Sequence, residues 1–167
     1  MPNSCYTFFQ TESADGIDYL FMTEKNRIYT VSFDMSVYAS FVDEFQTLLN
    51  SGYGMIFSFE QVIPKEKGIC YEDQRVCITI VEIIIDFLKN YPDCFIVYQC
   101  EDYKEEKFFK KWQNLVNNGE FVKNGIEIEI NSNESEYFGF ICKGTNPKIK
   151  EAVQDVVKFS MALSQKN

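Results

Sequence analysis

RVCITIVEIIIDFLK, residues 75–89, is the most apolar stretch of the chain, and its β-branched content invites a strand. Its polar positions decide otherwise. Thr79, Glu82, Asp86 and Lys89 are spaced three, four and three apart, which draws one stripe along a helix. Fifteen residues are also long for a strand. The stretch therefore reads as a helix with ten apolar side chains, central to its domain, with that stripe as its only wet edge. Asp73 can cap it, and Tyr91-Pro92 ends it.

Outward from this helix the pattern alternates. CYTFFQT (5–11) and RIYTVSF (27–33) are β-branched and aromatic and read as strands, with IDYLFM (17–22) as an additional one after the Asp15-Gly16 turn. In 36–52 Val37, Tyr38, Phe41, Val42, Phe45, Leu48 and Leu49 share one helical face, which reads as a helix with a pair of short strands as the rival. GMIFSFEQV (54–62) is a strand, and so is DCFIVYQC (93–100). Residues 101–118 form an amphipathic helix with Phe108, Phe109, Trp112, Leu115 and Val116 inward. Asn124-Gly125 is a hairpin signal, followed by Ile126, Ile128 and Ile130 alternating with Glu127 and Glu129. YFGFIC (137–142) is the next strand, and a last helix starts at Pro147. The expected fold class is α+β, a single globular domain over 1–167, with one mostly antiparallel sheet packed against about four helices.

Composition closes off several chemistries. The chain has no histidine, which removes Ser-His and Cys-His pairs, His-based metal sites and imidazole acid–base catalysis. Its net charge is −9, and residues 1–63 hold eight acidic side chains against Lys25 and Arg27. Such a surface repels phosphate backbones, so direct nucleic-acid binding is not expected. Six cysteines at 5, 70, 77, 94, 100 and 142 include no CxxC, and the start lacks the features of a signal peptide. No apolar run reaches membrane-spanning length. A cytoplasmic protein with reduced cysteines and no membrane partner is the expectation.

Asp93 and Asp102-Tyr103-Lys104 spell the PD…DxK pattern of metal-dependent nucleases. The two acids bracket an extended strand, and nine residues at about 3.3 Å each part them by roughly 30 Å. They cannot share an ion. Glu101, Asp102, Glu105 and Glu106 lie where a strand meets a helix, a frequent ligand position, yet a capping box through Asp102 and Glu105 accounts for two of them. Lys104, Lys107 and Lys111 line one side of that helix beside Trp112. Glu101, Asp102, Lys104, Lys107, Lys111 and Trp112 are thus the candidate interaction or ligand surface. No residue is assigned to catalysis, a cofactor or a metal, and no Gly-rich phosphate loop is present.

Residues Thr79 to Trp112, about a fifth of the chain, resemble the central part of a family of small uncharacterised bacterial proteins, a domain of unknown function. The shared elements are an apolar helix, a strand ending in Tyr98-x-Cys100, an acidic turn, and Lys107-Phe108-Phe109-Lys110-Lys111-Trp112, where the family form prefers Arg to Lys. The resemblance implies a bacterial cytosolic domain and transfers no activity.

On these grounds the leading expectation is a non-enzymatic protein-interaction or regulatory accessory protein. Its partner would be a protein, and a homodimer stays open. Two alternatives remain beside it: a carboxylate-based, divalent-ion-dependent enzyme or small-ligand-binding domain, and an acidic mimic of nucleic acid.

Overall fold

The computed structural model describes residues 5–13, 16–34, 54–64, 74–100 and 119–165. Strands β1 (Phe8–Ser13), β2 (Gly16–Met22), β3 (Ile28–Asp34) and β4 (Gly54–Ile63) form an antiparallel block in sequence order. Helix α1 (Gln74–Asn90) leads to β5 (Phe95–Cys100), and the hairpin β6 (Phe121–Asn131) and β7 (Glu134–Lys143) precedes helix α2 (Ile149–Gln165). The spatial order is β1-β2-β3-β4-β5-β7-β6. The expected helices over 36–52 and 101–118 lie outside the described residues.

The expectation of one mostly antiparallel sheet under about four helices is corrected. The described residues form two helices, and the strands form two antiparallel blocks, of four and three, that meet where β4 and β5 run parallel. Parallel neighbours need a crossover of a dozen residues or more, which the segment containing α1 supplies. Local periodicity marks β4, α1 and β5 but not the direction in which the chain returns.

Alternation divides the sheet into two faces. Tyr19, Phe21, Tyr29, Val31, Phe33, Met55, Phe57, Ile96, Tyr98 and Ile141 share a core with Val76, Ile80, Val81, Ile83, Ile84, Phe87 and Leu88 of α1. On the other face of the smaller block, Phe95 meets Phe140 edge to face at 5.4 Å, and α2 lies against β6 and β7 with Ala152 and Val156 buried. Among the described residues the aromatics are mostly core. Tyr6, Phe21 and Tyr29 stack in series, and Tyr19, Phe33 and Phe57 run beside them. Buried phenols keep partners: the Tyr29 hydroxyl donates to Gln61 Oε1 at 3.1 Å, and Gln61 Nε2 donates to the Pro64 carbonyl at 2.8 Å.

Two local readings change. Thr79 is fully buried rather than on the wet edge of α1. Its hydroxyl donates to the Arg75 carbonyl at 2.6 Å and accepts the Tyr6 amide at 2.9 Å, tying the segment before β1 to the helix. Replacing Thr79 with Val removes that acceptor inside the core and should cost about 1–3 kcal/mol, whereas Thr79→Ser should cost less. Urea midpoints of the two variants measure the difference; equal midpoints would remove the hydroxyl's role. The second change is the hairpin. β6 runs straight through Asn124-Gly125, and the turn lies between Asn131 and Glu134, where Asn131 Oδ1 accepts the Asn133 amide at 2.9 Å. Gly125 stands within the strand, opposite Gly139.

Candidate functional site

β4 and β5 pair over three positions only: Gly54 with Phe95, Met55 with Ile96, Ile56 with Val97. Both strands then continue, β4 to Ile63 alongside β3 and β5 to Cys100 alongside β7, without pairing to each other. The two strands are parallel, so the sheet opens at their carboxyl ends. Open α/β sheets take ligands outside the carboxyl ends of parallel strands. On the α1 side the edges carry Phe57, Phe59 and Gln61 from β4 and Tyr98 from β5. Ser58 and Glu60 alternate to the opposite side of β4 and are exposed. Each strand directs alternate main-chain amides and carbonyls toward its neighbour, so the opening is bordered by main-chain hydrogen-bonding groups.

Tyr98 stands in register with Gly139 of β7, and Gly139 with Gly125 of β6. The Lys123 ammonium lies 5.5 Å from the centre of the Tyr98 ring. Sequence reading placed Tyr98 in a strand, took Gly125 for a hairpin turn and gave Gly139 no role. An isolated glycine inside a strand pattern is a signal for close backbone approach, and both positions carry it.

The six candidate residues Glu101, Asp102, Lys104, Lys107, Lys111 and Trp112 all lie outside the described residues, as does Asp102 of the PD…DxK pattern. In sequence they begin directly after Cys100, at the carboxyl end of β5. Asp93 precedes β5. Among the described residues no three of His, Cys, Asp and Glu are grouped to hold a metal ion. Adding 1 mM Mg²⁺ or Ca²⁺ should leave the melting temperature unchanged. A site with Kd near 10 µM would instead add about 2.7 kcal/mol, a shift of several degrees for a chain of this size. Such a shift, abolished by Asp102→Asn, would put an ion at the acidic run.

Other polar groups hold the fold together. The Tyr19 hydroxyl donates to Asp86 Oδ2 at 3.0 Å, and Asn90 Nδ2 donates to the same oxygen at 3.2 Å. Burial, and then the bond to Asp86, raises the Tyr19 phenol above its ordinary value. Among the described residues Cys5, Cys77, Cys94 and Cys142 form no disulfide. Burial and the charge of Asp93 push the Cys94 thiol up to about 11, and burial alone pushes Cys142 to about 12. Thiols this hard to ionise are poor nucleophiles at neutral pH. All three shifts are upward, so the unfolded chain loses these protons first. Their stabilisation is complete below about pH 8.5 and declines as pH rises through the folded values. The urea midpoint should therefore fall between about pH 8 and about pH 10.5, and less steeply in Cys142→Ala. A flat profile would show that the thiols are not shielded.

No family model matches the chain, and no curated protein does. Among the described residues no helix is long and apolar enough to cross a membrane. Among solved structures the chain is similar to the "Crystal structure of a putative phosphinothricin N-acetyltransferase", with 11% identity over 79% of this chain and 73% of that one, at a TM-score of 0.45. A likeness at that level assigns neither a family nor an activity. The expectation of a non-enzymatic interaction or regulatory protein is corrected on the fold: the sheet parts at the carboxyl ends of β4 and β5, a position where open sheets take ligands.

Proposed function

We propose that the chain is an enzyme domain that holds an extended, amide-bearing substrate or cosubstrate in the opening between β4 and β5. The observation that carries this reading is the end of β4–β5 pairing at Ile56 and Val97 while both strands run on. A ligand with amides spaced along an extended arm can take strand-like hydrogen bonds from the two edges, as a peptide adds to a sheet. Phe57, Phe59 and Tyr98 supply apolar contact on the α1 side.

Amide-resolved NMR with pantetheine, acetyl-coenzyme A and trialanine amide tests this. The acetyl compound is included because the similar structure bears an acetyltransferase name. Shift changes should concentrate on residues 57–63 and 98–100 with at least one probe, and saturation should raise the melting temperature. Changes confined to other elements, or no binding by any of the three at millimolar concentration, would overturn the reading.

A further inference from the structure

Tyr98, Gly139 and Gly125 occupy one row across β5, β7 and β6 on one face of the sheet, where Tyr98 and Gly139 are buried and Gly125 is exposed. A Cβ on Gly139 would stand 2.6 Å from the Tyr98 hydroxyl and 2.7 Å from Gly125 Cα, and would collide with the Asn124 carbonyl. The phenol therefore lies over β7, on the side of β5 away from β4. Lys123 sits two residues from Gly125 on the same strand face, with its ammonium 5.5 Å from the ring centre. The Tyr98 ring is thus laid in a slot floored by glycine and flanked by a cation, a geometry in which ring and ammonium attract. Only 2% of Tyr98 is exposed.

On the other side of β5, continuing the Ile56–Val97 register by one step would bring Phe57 opposite Tyr98. Two aromatic side chains would then face each other at the mouth of the opening. A strand side chain stands roughly perpendicular to its sheet unless space beside it allows it to lean. Gly139 supplies that space.

We infer that the Gly139–Gly125 shelf sets the width of the opening: by letting Tyr98 lie down over β7, it keeps the edge of β5 clear for the ligand arm. The inference rests on the function proposed above and assigns Gly139, Gly125 and Tyr98 as positioning residues. A side chain at 139 returns the phenol toward Phe57 and narrows the mouth.

Pantetheine is the probe, titrated by NMR into the wild type, Gly139→Ala, and Tyr98→Leu combined with Gly139→Ala. Both variants carry the same crowding at the Asn124 carbonyl, so their difference isolates the ring. Gly139→Ala should weaken binding at least ten-fold, and the added Tyr98→Leu should recover most of that loss. A purely structural role would leave the double variant as weak as the single one, which overturns the inference, as does wild-type affinity in Gly139→Ala. If Gly139→Ala does not fold, Tyr98→Trp takes its place: its larger ring overfills the slot and should weaken pantetheine ten-fold, and unchanged affinity is the contrary result. If wild-type protein binds no pantetheine at residues 57–63 and 98–100, the inference falls. Binding of another probe there would leave the functional reading standing.

Discussion

Ile84→Asp should leave the protein unfolded at room temperature, with no cooperative thermal transition and most of the helical circular dichroism lost. Ile84 is fully buried at the centre of α1 and belongs to the core cluster that also holds Phe33, Phe57 and Ile96. Aspartate there loses the transfer free energy of the isoleucine and must either bury a charge or stay protonated without a partner. Each term costs several kcal/mol, against a total stability of about 5–15 kcal/mol. Ile84→Val is the control, and it should cost only about 0.5–1.5 kcal/mol. A folded Ile84→Asp variant that changes from dimer to monomer in light scattering would instead make α1 a subunit contact.

Phe87→Ala should be the most damaging truncation in the same helix. The Phe87 ring stacks on Phe33 with centroids 4.0 Å apart and planes 11° from parallel, and Tyr91 tilts against it at 5.1 Å. Removing a buried phenylalanine costs about 3–5 kcal/mol, the upper part applying where neighbours cannot collapse into the void. Here the strand under Phe33 is fixed on both sides by β2 and β4, so collapse is limited. A Phe33→Leu, Phe87→Leu double-mutant cycle should return a coupling of about 0.5–1.5 kcal/mol for the stacked pair. A loss below about 1.5 kcal/mol in Phe87→Ala would show that α1 can settle onto the sheet.

Helix α1 was legible because burial on three sides leaves a polar stripe with helical spacing, and Glu82 and Lys89 are indeed exposed. Thr79 belongs to the same spacing but not to the same surface. A threonine hydroxyl that bonds back to its own helix can be buried at little cost, and periodicity does not distinguish that from solvation. At Asn124-Gly125 a strong local turn preference lost to pairing along β7, where Gly125 lies opposite Gly139, the glycine on which a Cβ would crowd Tyr98. The parallel pairing of β4 with β5 was not legible, because strand direction is written in the connection rather than in the strand. The opening it creates was therefore missed, although the acidic run that begins at Glu101 was noticed for its place at the end of a strand.

The placement of Asn124-Gly125 inside β6 also bears on the chemical ageing of the chain. Asparagine followed by glycine is the sequence most prone to deamidation, because the glycine nitrogen can swing onto the side-chain amide and close a succinimide ring. In the folded protein Asn124 faces Phe140 and Gly125 faces Gly139 in an antiparallel ladder, which holds the backbone extended and keeps that attack out of reach. Conversion of Asn124 should then proceed only in molecules whose β6–β7 hairpin has opened. The rate at which stored protein gains isoaspartate at position 124 becomes a clock for that opening, readable by mass spectrometry on a single peptide.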